Sequence, residues 1–80
     1  MKAKLEAAKE HAGEIEGLDA AEREQLQAAI EDLTTDGART ELAATRFKRL
    51  MRKAGQTASG GLYRLVVEVA SEAAKKAIFG

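Results

Sequence analysis

The 80-residue sequence contains no cysteine and no proline. The first absence excludes disulfides and thiolate metal sites. The second leaves helices free to run without a kink or an enforced stop. One histidine gives little to build a metal site from, and three aromatic residues (two Phe, one Tyr, no Trp) leave no set of rings for stacking bases. No stretch reaches the run of about 18 apolar residues that a membrane span needs. The opening "MKAKLEAAKEHAG" has lysines with no apolar run behind them, unlike a secretory signal. A cytoplasmic location is the resulting expectation. Net charge is also missing: 13 basic residues balance 13 acidic ones.

That zero hides a division. Residues 1–36 hold four Lys/Arg against ten Asp/Glu, and residues 37–80 hold nine against three. An acidic half is joined to a basic half, which bears on association rather than on fold. With 45% hydrophobic and 32% charged residues, the composition is that of a globular chain. A chain this short makes one domain, residues 1–80, and buries a modest share of its surface. With disulfides and metal set aside, a partner subunit is the addition left to support its core.

The apolar spacing is helical throughout and never alternates as a strand does. Leu5, Ala8, Ala12 and Ile15 make one stripe of a first helix, residues 2–15. Asp19 and Glu22 have capping-box spacing, with Asp19 in place of the usual serine or threonine, and they open a second helix. Its stripe is Leu26, Ala29, Ile30 and Leu33. Thr35 or Asp36 is the expected N-cap of a third helix that runs to Ala54, with Gly55 placed to end it in the left-handed conformation. "GQTASGG" reads as a flexible connector over residues 55–61, with Ser59 available to cap a last helix, residues 60–79. The expected fold is all-α: a small antiparallel bundle of three or four helices with the apolar C-terminal helix at its centre.

The stretch "RFKRLMRKAG" (Arg46–Gly55) is amphipathic as well as basic. Ala43, Phe47, Leu50, Met51 and Ala54 share one side of the helical wheel. Arg39, Arg46, Arg49 and Lys53 share another, with Leu42 exposed among them. Four cations on one stripe could neutralise phosphates, so nucleic-acid binding is one reading. A solvated face, or a face that docks on acidic helices of the same or another chain, is the other.

In the last helix Leu62, Val66, Val69, Ala73 and Ala77 form one apolar stripe. Tyr63, Val67, Ala70, Ala74 and Ile78 form a second, and Leu65 widens the arc to roughly 200°. Two stripes call for two neighbours, and the remaining helices are short of large side chains. Self-association through these residues is the expectation. An entirely intramolecular core and a membrane-surface helix are the alternatives, the last opposed by a polar face of mixed sign.

No catalytic constellation is visible. His11 and Glu14 have i,i+3 spacing, but in the reverse order from a Glu-x-x-His metal motif and without a second histidine. Ser59 and Ser71 have no activating base at an interpretable spacing. "SGG" at Ser59–Gly61 lacks the lysine of a phosphate loop. The carboxylates of the second helix are scattered around it rather than paired. No cofactor and no enzyme activity are expected.

The order "EIEGLDAAEREQLQAAIEDL", then "RFKRLMRKAG", then a small-residue helix ending "AIFG" resembles the C-terminal helical appendages of bacterial abortive-infection (AbiTii-like) and other phage-conflict proteins. The resemblance implies an accessory module that positions or assembles a larger effector. It transfers no catalytic residue. The function expected from the whole reading is a non-enzymatic protein–protein interaction module that self-associates through its C-terminal helix. Nucleic-acid binding through the basic face is the alternative.

Overall fold

A computed structural model describes residues 2–79; for residues 2 and 56–59 it describes the backbone alone. Five helices follow one another: α1 (Lys2–Glu14), α2 (Ala20–Asp32), α3 (Thr40–Ala54), α4 (Gln56–Val69) and α5 (Glu72–Phe79). There is no strand among the described residues. The all-α expectation holds, with five helices in place of three or four.

The start of α2 is the capping box that the sequence spells out. The Asp19 carboxylate accepts from the Glu22 amide at 2.8 Å, and the Glu22 carboxylate accepts from the Asp19 amide at 3.0 Å. Two amides that the first turn cannot satisfy are thereby paired. The chain enters this cap through Gly17, at φ +92°, a backbone region that favours glycine. The Arg23 guanidinium, through Nε, donates to the Ile15 carbonyl just beyond the end of α1 (3.0 Å), and the Gln27 amide donates to the Lys9 carbonyl (2.8 Å). Side chains of α2 therefore tie α1 down along its length.

The start of α3 differs from expectation. Arg39 is its N-cap and offers no side-chain hydrogen bond. Thr35 and Asp36 lie further back in the loop, and the buried Thr40 hydroxyl organises the turn instead. It accepts from the Gly37 amide at 2.9 Å and donates to the Thr35 carbonyl at 2.9 Å. At the other end, Gly55 has the expected positive φ (+97°), but its ψ of 160° is extended rather than helical. That geometry turns the chain directly into α4. The connector expected over residues 55–61 reduces to Gly55 as its one non-helical position. The expected cap Ser59 lies outside the residues whose side chains are described.

The C-terminal segment is the main correction. It is two helices, broken at Ala70, whose ψ of 144° is extended. Three bonds hold the break. The Ser71 amide donates to the Leu33 carbonyl at the end of α2 (2.9 Å). The Ser71 hydroxyl accepts from the Ala74 amide (3.2 Å), and the Asp36 carboxylate accepts from the Ala73 amide (3.3 Å). Ser71 is thus an N-cap for α5, and α5 turns back to pack on α3. No single apolar helix occupies the centre. Helix α3 packs against α2, α4 and α5, while α1 packs against α2 and α4.

The core contains every large residue of the two N-terminal stripes except Leu5, which is half-buried at its edge. Phe47, Leu26, Ile30, Leu33, Leu62 and Val66 are its largest fully buried side chains. Ala44, assigned to no stripe above, is also buried, because α5 covers that side of α3.

Candidate functional site

The residues expected to mediate self-association divide three ways. Leu62, Val66, Val69 and Ala74 belong to the chain's own core. Tyr63, Leu65, Ala70, Ala77 and Ile78 pack against its margin, half-buried. Only Val67 and Ala73 are exposed. The expectation that one chain could not cover both stripes overlooked the break at Ala70. With α5 folded onto α3, and α4 lying against α1 and α3, most of the wide arc finds neighbours inside the molecule. What stays outside the arc is Val67, 39% exposed, with Ala73; beyond the arc, Phe79 is 48% exposed. The Phe79 ring meets Tyr63 with centroids 5.6 Å apart.

The basic stripe is on the surface as expected. Arg39, Arg49 and Lys53 are exposed and Arg46 is half-buried. Lys53 is spoken for: its ammonium is hydrogen-bonded to the Glu22 carboxylate. That bond, then the Asp19 amide, holds Glu22 below the usual carboxylate range. The same bond raises Lys53 above the usual lysine value. Glu22 therefore serves the start of α2 and the end of α3 at once, and one cation of the stripe is neutralised from within the acidic half. Arg39, Arg46 and Arg49 make no such ion pair among the described residues.

Leu42 stands between two shallow depressions and is 59% exposed, the most of any large apolar side chain among the described residues. One depression is lined by Asp32, Arg39, Ala43 and Arg46, the other by Glu41, Ala44, Thr45, Lys48 and Ala77. The Lys48 ammonium closes the second by donating to the Ala77 carbonyl at 3.1 Å. The arrangement is an apolar knob with arginines along one flank. Chemically it can take up an apolar side chain or a small flat surface bordered by carboxylates.

No metal-ligating group of three or more His, Cys, Asp or Glu residues converges among the described residues. Every buried side-chain nitrogen or oxygen there has a hydrogen-bond partner, so no orphaned group points to a missing ligand. The hydroxyl of Ser71 is occupied as a helix cap. Among the described residues no helix is long and apolar enough to cross a membrane.

Residues 1–78 match the family described as "Uncharacterized protein conserved in bacteria (DUF2321)". The chain belongs to that bacterial family. No curated protein and no solved structure matches it.

Proposed function

We propose that this DUF2321 chain is a non-enzymatic helical interaction module that self-associates, as an accessory part of a larger bacterial assembly. The observation that carries the reading is the set of large apolar side chains left outside an otherwise closed core: Leu42, Val67 and Phe79. Val67, with the small Ala73, is the part of the expected C-terminal surface that the fold leaves open, and Phe79 follows at the end of α5. Leu42 adds a second place, on α3, where the charges around it favour a defined partner. The accessory role follows from the resemblance to helical appendages of phage-conflict proteins.

Size-exclusion chromatography with light scattering tests the reading. The native chain is expected to exceed the monomer mass at high micromolar concentration. Val67→Glu and Leu42→Glu, both at exposed positions, separate the two surfaces. A native chain that stays monomeric at every concentration overturns self-association.

The exposed arginines of α3 support a second reading, nucleic-acid binding through Arg39, Arg46, Arg49 and Lys53. It requires retardation of generic DNA or RNA that fades steeply with salt. Pairing of Lys53 with Glu22 removes one of the four cations from that task.

A further inference from the structure

Helix α2 carries an outer stripe that complements Leu42 and its arginines. Glu24, Ala28 and Glu31 are all exposed. Their spacing of four and three places them on one line, and the buried Leu26, Ala29 and Ile30 occupy the opposite side of the wheel. At the start of α3, the N-cap Arg39 lies on one line with Leu42 and Arg46, at spacings of three and four. Each line spans eight residues, seven steps and about 10.5 Å of helix rise. Set antiparallel, the two lines match position for position: Arg39 faces Glu31, Leu42 faces Ala28, and Arg46 faces Glu24. A large apolar residue thus meets a small one between two cation–anion pairs.

The match cannot be made within one molecule. The α2 line faces away from the core, whereas α3 packs on the inner side of α2. We propose that the α3 face of one copy docks on the outer face of α2 in a second copy. This rests on the self-association reading and names its surface. The contact is heterologous, one patch meeting a different patch, so it either closes a ring or extends. Local competitors are modest. Lys9 bonds Glu31 at 3.1 Å, but that carboxylate side chain remains 62% exposed, and exposed pairs of this kind contribute little. Asp32 shares the depression with Arg39 and Arg46, leaving more cation than anion there. The division of charge along the sequence has its physical meaning here: the basic face of each copy is a counterpart for the acidic face of the next.

The test is a charge swap read by sedimentation velocity at low salt. One variant carries Glu24→Arg and Glu31→Arg, the other Arg39→Glu and Arg46→Glu. Each alone is expected to associate about tenfold or more weakly than the native chain, because two pairs become repulsive. Mixed in equal amounts, they regain association, since every docking contact between unlike variants is again complementary. Unchanged far-UV circular dichroism shows that each variant folds. If the native chain associates but the single variants do so equally well, or the mixture fails to recover, this interface is wrong. Loss of association in Val67→Glu would then place it on the α4 edge and leave self-association standing. A native chain that remains monomeric removes both. Retention of a generic duplex by the native chain, lost in the Arg39→Glu, Arg46→Glu variant while native self-association is absent, assigns the arginines to nucleic acid instead.

Discussion

The ring of Tyr63 stands edge-on to that of Phe47, with centroids 5.3 Å apart and planes at 86°. Tyr63 meets Phe79 in turn, so the three aromatic residues join α3, α4 and α5 in one line from core to surface. Phe47 is fully buried at its inner end. Phe47→Ala removes the largest side chain of the core and should cost about 3–5 kcal/mol. A chain of this length has a reserve on the order of 4–12 kcal/mol, so the variant should unfold at far lower urea. Tyr63→Leu gives up only the edge contacts and should cost about 0.5–1.5 kcal/mol beyond its change in buried area. Urea titration followed by circular dichroism distinguishes the two. Equal losses would mean that the aromatic line carries no special weight.

Asp19→Ala should lower stability by about 1 kcal/mol, the usual worth of an N-cap. Glu22 adds a pH dependence of known sign. Its folded pKa lies below the ordinary value because the Lys53 ammonium and the Asp19 amide favour the charged form. Its contribution is therefore present above the ordinary glutamate range and is lost as pH falls through the lowered folded value. Lys53, shifted upward by the same bond, contributes below the ordinary lysine value and loses that contribution only as pH rises through its raised folded value. The native chain should exceed Glu22→Gln in stability at neutral pH, and the gap should narrow in acid. A gap that is constant across an acid titration of the melting temperature would dismiss the carboxylate's role.

How much of this was legible in the sequence depended on the range of the interaction that decided each feature. The capping box and the α1 and α2 stripes are local, and the residues state them. Gly55 is local too, although the spacing of residues could not distinguish an extended ψ from a helical one. The break at Ala70 was hidden because the apolar period runs from Leu62 to Ile78 without glycine or proline. A clue existed in Ser71 followed by Glu72, a fair N-cap with an acidic first turn. What decides the matter lies far away in sequence, in the Leu33 carbonyl and the Asp36 carboxylate. The candidate surface was half visible. Leu42 among arginines could be read from α3, whereas the matching line on α2 emerges only once its inner and outer faces are known.

Gly17 joins two constraints that can be tested apart. Its φ of +92° disfavours any side chain, and a Cβ built there would lie 3.1 Å from both the Cα and the carbonyl oxygen of Ala54. Backbone atoms at the end of a helix do not yield as a flexible side chain would. Gly55 has a similar φ but open space around it, and Gly37 has open space without a positive φ. Gly17→Ala should therefore destabilise most, Gly55→Ala by the conformational cost alone, about 1–3 kcal/mol. Gly37→Ala should be neutral or gain up to about 1 kcal/mol. Thermal melts of the three variants check the order. A Gly17→Ala variant no worse than Gly55→Ala would show that the turn can move away from α3.

Ser71→Ala should act on one helix rather than on the whole molecule. The hydroxyl is the cap that pairs the Ala74 amide, while the backbone bond from Ser71 to Leu33 survives the substitution. Helix α5 is eight residues long, too short to persist without its cap and its packing on α3. Alanine at position 71 also lowers the cost of continuing α4 straight through the break. Both effects pull α5 off α3, and the residues uncovered on α3 include Ala44. Amide exchange over residues 72–79 should accelerate by about tenfold for a cap worth close to 1 kcal/mol or slightly more, with α1 and α2 little changed. Uniform acceleration in all five helices would mean that α5 opens only with the rest of the fold. No acceleration at residues 72–79 would leave the Leu33 and Asp36 bonds sufficient to set the break. In the first case α5 is part of the cooperative core. In the predicted case it is a flap whose release exposes apolar surface beside Leu42, and the variant's tendency to associate should rise with its exchange rate.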